Sequence, residues 1–502
     1  MGLLDLPPEI LDLIIDRTAP DGLQNFVLSC KTVYGRAASQ IRQHNALRRA
    51  WSHTTNMSPS RHGDTLALLY EISQDPIIAE YIENLFLWDR RADDAVREEP
   101  GAYNFRDDEK AMEEIKDLLH SAENYANNDE GEWWNHILEE DKASDQSNMD
   151  KLYATVAILS LLPNLKTLQL PDRWHEVRVG ESAEDLVPNV QSLVTISNTK
   201  GHRQKPLAQL ETILPFVEEG YDTRVGLQCL SPFLVLESIR NLYAVSCVAV
   251  DDDWGGVPFT WLVPNAKSPL TRVEFASCCM DATGLSTFLS NVPALRVFRY
   301  SHQTKWDGLE HDWNAGEVLQ VLANYCGDTL IDIALTIDEL HGEVVNGLSS
   351  FLRFSKLERL EVDLECFCGP PLESGQRQGR EPRMPPGATA WDHADIPCMG
   401  DMLPDSMCEL HVNTNYPAPS KAALLALFKN IVDRRKDKLR RLHLAVIRQY
   451  RSSTARTIAE NHDVVLEAFD EGVENPRRRS MMPLWKREFD SRVGGIVFAD
   501  AD

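Results

Sequence analysis

A six-residue apolar pattern, Leu-x-x-Leu-x-Leu or a close variant, recurs along the chain after residue 150. The pattern ends in the alternation of apolar and other residues that is typical of a β-strand. Helix-like segments separate the copies, at residues 208–218, 282–291, 317–325, 344–353 and 422–432. One strand and one helix cannot bury their apolar stripe alone, so such units must stack on one another. Well-formed copies begin at Leu165, Leu270, Leu295, Leu330, Leu357 and Leu439, and weaker copies begin at Val190, Ile239 and Met407.

The spacing of the copies resembles that of leucine-rich repeats. Successive copies begin 25, 49, 31, 25, 35, 27, 50 and 32 residues apart, and three of these spacings fall within the 20 to 29 residues of that family. Its Asn or Cys position holds Cys247, Cys278 and Asn415, although other copies have Gln303, Asp338, Glu365 and Ile447 there. The resemblance implies an irregular α/β solenoid over residues 151–447, a curved parallel sheet with outer helices and an insertion near 366–405. A globular α/β domain is the alternative.

Residues 4–38 form a second distinctive stretch, made of three short amphipathic segments. Asp5 is suited to cap the first helix, and Pro7 and Pro8 suit its first turn, where their missing N–H groups would be unpaired anyway. Three short helices are normally too few for a sufficient core, so we expect a partner to cover part of their apolar surface. Helical spacing recurs at Ile10, Leu13 and Ile14, at Leu23, Phe26, Val27 and Cys30, and at Val33, Tyr34, Ala37 and Ile41.

This stretch resembles the F-box, whose Leu-Pro-x-Glu start and Cys-Lys-x-aromatic end are matched by Leu6, Pro7, Glu9, Cys30, Lys31 and Tyr34. In that family the motif docks on the Skp adaptor of a Skp–cullin–F-box ubiquitin ligase. The resemblance implies a three-helix F-box within residues 1–50. A small helical cap on the following domain is the alternative. The implied adaptor contacts are Leu6, Pro7, Glu9, Ile10, Leu13, Ile14, Leu23, Val27 and Leu28.

The remaining parts of the chain are more polar. Residues 51–150 are interpreted as a helical, partly acidic linker region, and residues 448–502 as a polar C-terminal tail. The chain has 77 acidic and 51 basic residues, a formal charge of −26, which disfavours binding to nucleic acid or anionic membranes. No apolar run approaches a membrane span, and the N-terminus lacks the basic region of a signal peptide. We therefore expect a cytoplasmic or nuclear protein.

No sequence motif for catalysis is evident. Phosphate-binding loops, dinucleotide-binding loops, zinc-protease motifs and nucleophile elbows are absent from the sequence. The ten cysteines are interpreted as reduced thiols, and Cys278-Cys279 and Cys366-x-Cys368 lack partners at metal-binding spacing. We expect a protein that is not an enzyme and that has no catalytic residues, metal or cofactor.

A binding surface is predicted instead. In stacked strands the positions between the apolar ones face the concave side of the sheet, and many of these positions are basic here. Acidic residues are also expected on this side, which would therefore be mixed with a positive bias: Glu274, Asp332, Glu358, Glu361 and Glu409. Guanidinium groups pair with carboxylate and phosphate, so this side is suited to an acidic or phosphorylated target peptide. Ordinary surface arginines are the alternative interpretation. The predicted target-binding residues are Arg240, Tyr243, Arg272, Arg296, Arg299, Tyr300, Arg359, Arg440 and Arg441.

These features together predict a substrate receptor of a Skp–cullin–F-box ligase. The F-box would bind the Skp-family adaptor, and through it a cullin–RING ligase, while the repeats bind a target protein for ubiquitination. The alternative is a leucine-rich-repeat interaction scaffold that recruits no ligase.

Overall fold

The computed structural model describes residues 3–20, 22–58, 61, 63–89, 104–121, 130–147, 152–176, 186–199, 205–251, 257–263, 265–305, 312–342, 344, 346–368, 398–414, 421–450, 453–469 and 482–497. Most of the predicted insertion and Asn415 lie outside these residues. The chain divides into two compact units. Unit 1 comprises Met1–Trp174 and Ala183–Glu211, and unit 2 comprises His175–Ser182 and Thr212–Asp502.

Unit 1 begins with four helices and continues with alternating helices and short strands. The first helices are α1 (Pro8–Asp16), α2 (Leu23–Val27), α3 (Lys31–Arg36) and α4 (Ala38–Trp51). The strands are β1 (His53–Thr55), β2 (Asn84–Phe86) and β3 (Thr167–Gln169). The later helices are α5 (Thr65–Gln74), α6 (Ile78–Tyr81), α7 (Glu109–Ser121), α8 (Glu130–Ser147), α9 (Leu152–Ser160) and α10 (Leu186–Asn198).

The helices α1, α2 and α3 share a small core of their own. Pro8 occupies the first turn of α1, as the sequence predicts, but the N-cap is Pro7 and not Asp5. A bidentate ion pair between Arg36 of α3 and Asp12 of α1 joins two of these helices, with the Nη2–Oδ2 distance at 2.7 Å. The three helices therefore bury more of their apolar surface among themselves than we expected. The core consists of Leu11, Ile15, Leu23, Val27, Val33 and Ala37.

Parallel strand pairing begins in the segment that the sequence suggested was a linker. Strand β1 pairs with β2, and β2 pairs with β3, both in parallel. Strand β2 lies within an unrecognised copy of the repeated pattern, Ile82-x-x-Leu85-x-Leu87, whose three apolar side chains are fully buried. The predicted copy at Val190 is wrong, because Val190 lies in α10. Its apolar spacing of three residues is shared by helices and by this strand pattern.

Unit 2 contains eleven described strands, and their pairings are parallel. Strand β6 pairs with β8, and β8 through β14 then pair in sequence order, while β7 pairs with β5 and β8. The strands are β4 (Thr212–Ile213), β5 (Val225–Gly226), β6 (Asn241–Val245), β7 (Cys247–Ala249), β8 (Arg272–Met280), β9 (Val297–Gln303), β10 (Asp332–Glu339), β11 (Arg359–Asp363), β12 (Glu409–Thr414), β13 (Leu444–Tyr450) and β14 (Val465–Phe469).

The helices of unit 2 lie between and after these strands. They are α11 (Ala282–Leu289), α12 (Ala315–Cys326), α13 (Glu365–Cys368), α14 (Met399–Met402), α15 (Lys421–Phe428), α16 (Ile431–Lys436), α17 (Ser453–His462) and α18 (Leu484–Val497). Of the predicted helical segments, 208–218 instead contains β4, and the described part of 344–353 is not helical. Strand β14, α17 and α18 lie within the predicted polar tail, so ordered structure extends past residue 447.

The repeated apolar pattern forms the core of unit 2. Phe298 and Tyr300 of β9, for example, are buried, and the equivalent side chains of β8, β10 and β11 are fully buried. The last copy is displaced by three residues from its predicted position. Pairing sets Ala445 and Ile447 of β13 beside Leu410 and Val412 of β12, so the strand begins at Leu444 rather than near Arg440.

Gly284 offers a test of the packing of α11 on β7. A Cβ at this position would overlap the carbonyl oxygen of Ala249, so one of the two elements would have to move. We expect Gly284→Ala to lower the free energy of unfolding by roughly 1–3 kcal/mol in urea denaturation. Gly494→Ala is the matched control, because its Cβ would meet nothing within 4 Å. Equal unfolding midpoints for the two variants would contradict this packing.

Candidate protein interaction sites

Alternation along the strands of unit 2 collects charged side chains on one side of the sheet. Arg299 lies between the core residues Phe298 and Tyr300, and Arg359 and Glu361 flank the core residue Leu360. Successive side chains of a strand point to opposite faces, so these charges share the face away from the core. We call this side the polar face. It comprises Tyr243, Arg272, Glu274, Ser277, Arg299, Asp332, Thr336, Asp338, Arg359, Glu361, Asn413 and Arg448.

Helix α18 lies on the polar face and is fixed at its N-terminus by a carboxylate. Leu484 N–H donates to Glu361 Oε1 at 2.7 Å, and Trp485 N–H donates to Glu361 Oε2 at 2.8 Å. A carboxylate at this end is favourable because the first N–H groups of a helix have no partner within it. The Trp485 indole is buried and donates from Nε1 to Thr336 Oγ1 at 3.1 Å. Glu361 and Thr336 therefore set the position of the first turn.

The Glu488 carboxylate of α18 is held by arginines of two strands. Its Oε2 lies 2.8 Å from Arg299 Nη1, and its Oε1 lies 2.7 Å from Arg359 Nη2. Burial opposes the charged form, but the hydrogen bond from Arg359 and the charge of Arg299 outweigh it and lower the pKa of Glu488 to about 2. Glu488 is thus ionised at neutral pH, and it occupies the place that the sequence predicted for an acidic target peptide.

Lys486 forms a further contact between α18 and the polar face. Lys486 Nζ lies 3.0 Å from Asp338 Oδ2 and 3.2 Å from Ser277 Oγ. Burial alone would lower the pKa of Lys486, but the carboxylates of Asp338 and Glu219 raise it above its ordinary value. Lys486 is therefore a charged, buried anchor.

The second half of α18 combines an aromatic contact with an ion pair. The Phe489 ring is buried and meets Tyr243 edge to face, with ring centroids 5.9 Å apart. Arg492 Nη1 lies 2.7 Å from Glu274 Oε1, and Arg492 Nη2 lies 3.0 Å from Glu488 Oε2. Aromatic and charged contacts thus alternate along the face of α18 that meets the sheet.

The polar face also contains ion pairs of its own. Arg299 Nη2 lies 2.7 Å from Asp332 Oδ2, and Arg448 Nη1 lies 3.3 Å from Glu361 Oε1. Burial opposes the charge of Arg299, but Asp332, Glu274 and Glu488 raise its pKa above the ordinary value. The positive bias that the sequence suggested is therefore largely balanced by acidic neighbours.

The predicted target-binding residues separate into two groups. Tyr243, Arg272, Arg299 and Arg359 lie on the polar face, as predicted. Tyr300 does not, because it follows Phe298 by two residues and is buried on the core side, where its hydroxyl donates to Cys278 O. The remaining arginines are exposed just before the strands begin, so alternation does not place them on the polar face. They are Arg240, Arg296, Arg440 and Arg441.

Helix α18 and Arg448 of the polar face were not predicted from the sequence. Arg448 pairs with Glu361 and Glu467, but it lies beyond the predicted last copy, which was placed three residues too early. Glu361 was predicted on this side as an acidic neighbour and not as a binding residue. A detectable pattern was present in the predicted tail, because Trp485, Glu488, Phe489 and Arg492 are spaced as one face of a helix.

The helices α1, α2 and α3 present a second candidate surface. Ile10 and Leu13 of α1 are 43% and 58% exposed, and Leu28 and Tyr34 are 67% and 55% exposed. Pro7 and Glu9 are also exposed, and Leu6 and Ile14 are half-buried. Leu23 and Val27, which were predicted to contact an adaptor, are instead buried in the core of the three helices. Contact with another protein is thus available to α1 and to the ends of its neighbours.

No family model matches this chain, and no curated protein matches it significantly. No described helix is both long enough and apolar enough to cross a bilayer. Within the part of the chain that the structure describes, His, Cys, Asp and Glu side chains form no group of three suited to hold a metal ion.

The lowered pKa of Glu488 predicts how the docking of α18 depends on pH. The docked carboxylate has a pKa of about 2 against an ordinary 4.5, so its contribution is complete above pH 4.5 and is lost as the pH falls through about 2. We expect Glu488→Gln to lower the thermal unfolding midpoint at neutral pH, with a difference from wild type that shrinks across this window. Glu358→Gln, which removes a carboxylate paired with exposed Arg441, is the control. A difference that stays constant from pH 7 to 2 would contradict the assignment.

Proposed function

We infer that this protein is a non-catalytic receptor that joins a target protein to a Skp–cullin–F-box ubiquitin ligase. In this proposal α1, α2 and α3 form an F-box that binds a Skp-family adaptor. The strand–helix units act as an irregular leucine-rich-repeat solenoid, and their polar face binds the target. Holding both proteins on one chain makes ubiquitin transfer effectively intramolecular. Catalysis belongs to other subunits of the ligase.

The exposure of Ile10 and Leu13 is the observation that most supports adaptor binding. Both residues lie on α1, three positions apart and therefore on one side of the helix. Their neighbours Leu11 and Ile15 fill the core of the three helices, so Ile10 and Leu13 contribute little to it. Exposed apolar side chains that cluster in this way are typical of protein interaction sites. These positions also carry the resemblance to the F-box.

The chemistry of the polar face supports target binding. Arg299 and Arg359 bind a carboxylate of α18 in the way the sequence predicts for an acidic target. Thr336 and Tyr243 add a hydrogen-bond acceptor and an aromatic contact beside them. Arginine and aromatic residues are those on which protein interfaces most often depend. The same groups are therefore suited to a segment of another protein.

Leu13→Asp tests the proposal directly. A charge at the centre of an apolar contact removes burial and leaves an unpaired carboxylate, so we expect adaptor affinity to fall by about 10-fold or more. Leu352→Asp is the matched control, because Leu352 is 56% exposed and lies in unit 2. The measurement is titration of each purified variant with a Skp-family adaptor, with circular dichroism as the check of folding.

Two results would contradict adaptor binding through α1. The first is equal adaptor affinity for Leu13→Asp and the wild-type protein. The second is an absence of adaptor binding by the wild-type protein, which would leave the interaction scaffold without ligase recruitment as the better account.

A further inference from the structure

The contacts of α18 follow the pattern by which a helical ligand occupies a groove. Trp485, Glu488, Phe489 and Arg492 occupy positions i, i+3, i+4 and i+7, and each contacts the polar face. Helices bound in the grooves of other proteins use the same spacing for their anchors. The aromatic residues Trp485 and Phe489 flank Glu488, whose carboxylate lies between Arg299 and Arg359. Helix α18 therefore has the geometry of a bound recognition helix.

The chemistry of this contact differs from that of a permanent core. Charged side chains lie on both partners, as in the pairs Glu488–Arg299, Arg492–Glu274 and Lys486–Asp338. Permanent interfaces resemble a domain core and are more apolar. Interfaces whose two partners also exist apart are about as polar as the rest of the protein surface. Without α18 the sheet would expose mainly groups that water solvates well.

The polar face keeps internal partners when α18 is removed. Asp332 pairs with Arg299, and Glu361 pairs with Arg448, without any contribution from α18. Arg272 likewise pairs with Glu274 at 2.5 Å. Departure of α18 would therefore hydrate these ion pairs rather than leave isolated buried charges, which are the costly case. The charges of the polar face therefore have partners both when α18 is docked and when it has left.

The chain between β14 and α18 is long enough to let α18 leave the surface while tethered. Strand β14 ends at Phe469 and α18 begins at Leu484. A chain of this length spans roughly 45–50 Å when extended. A tethered ligand has an effective concentration on the order of millimolar, so an external helix must compete against that concentration.

We propose that α18 is a resident competitor for the target, and that the polar face recognises target helices with the pattern aromatic-x-x-acid-aromatic-x-x-basic. The acidic residue binds between Arg299 and Arg359, the first aromatic residue lies beside Thr336, and the second lies against Tyr243. Target capture then requires a target helix to displace α18. At low target concentration α18 therefore stays on the polar face. This proposal rests on the proposed function, because it specifies the target of the same surface.

The test uses the full-length protein and a fluorescent peptide of residues 483–497. In the variant Glu488→Arg, a guanidinium replaces the carboxylate beside Arg299 and Arg359, so like charges repel and α18 leaves the polar face. We expect this variant to bind the wild-type peptide with an apparent affinity at least about 100-fold higher than the wild-type protein does. Fluorescence anisotropy measures the affinity.

Two controls define the specificity of the result. Ser491→Arg adds an arginine to the exposed side of α18, so this variant should exclude the peptide as the wild type does. A peptide that carries Glu488→Arg should bind neither protein. If Glu488→Arg folds but does not bind the wild-type peptide, the polar face does not recognise a helix from outside and the proposal is wrong. Equal peptide binding by wild type and Glu488→Arg would also overturn it, because α18 would then not compete.

A second experiment covers the case in which Glu488→Arg does not fold. A protease recognition sequence placed between Phe469 and Met482 allows the tether to be cut in a chain whose α18 is otherwise wild type. We expect the cut protein to stay folded by circular dichroism and to exchange α18 for the labelled peptide. Loss of folding on cutting, or continued exclusion of the peptide, would show that α18 is a fixed part of unit 2 and would overturn the proposal.

Adaptor titration of the same samples separates the two proposals. Peptide exchange without adaptor binding would refute ligase recruitment and keep the polar face as a helix-binding surface. Adaptor binding without peptide exchange would refute only the competition by α18.

Discussion

Alternation along parallel strands separates the side chains of unit 2 by chemistry. Phe298 and its equivalents pack into the core, while Arg299 and its equivalents collect on the polar face. A buried charge costs several kcal/mol in lost hydration unless opposite charges and hydrogen bonds compensate for it. Asp332 provides part of that compensation within the sheet, and Glu488 of α18 provides another part. The position of α18 therefore follows from the charges that alternation leaves on this side.

Much of the core was predictable because its pattern is local. Phe298, Ile333 and Leu360 each stand in a six-residue string whose spacing specifies a strand, and all three are buried. Strand β1 was not predictable in this way, because its three residues His-Thr-Thr contain no apolar alternation. Val190 was misread as a strand since a spacing of three residues fits a helix equally well. Local patterns thus identified the long strands and failed where an element was short or its spacing ambiguous.

The candidate sites were predictable only in part, for a related reason. The strand pattern placed Arg299 and Arg359 on the polar face correctly, but their partner Glu488 lies 189 and 129 residues away in sequence. No local rule joins residues that far apart, so the predicted surface appeared open. In the N-terminal helices, apolar spacing could not distinguish exposed Leu13 from buried Leu23. That distinction depends on how three helices pack, which a linear pattern does not contain.

Helix α18 rests on the polar face of unit 2 in the intact protein. Amide hydrogen exchange followed by mass spectrometry measures this contact without any substitution. We expect the amides of residues 485–497 to exchange far more slowly in the wild-type protein than in a free peptide of residues 483–497, because docking stabilises the helix. Equal exchange rates in the protein and in the free peptide would show that α18 is not docked on the polar face.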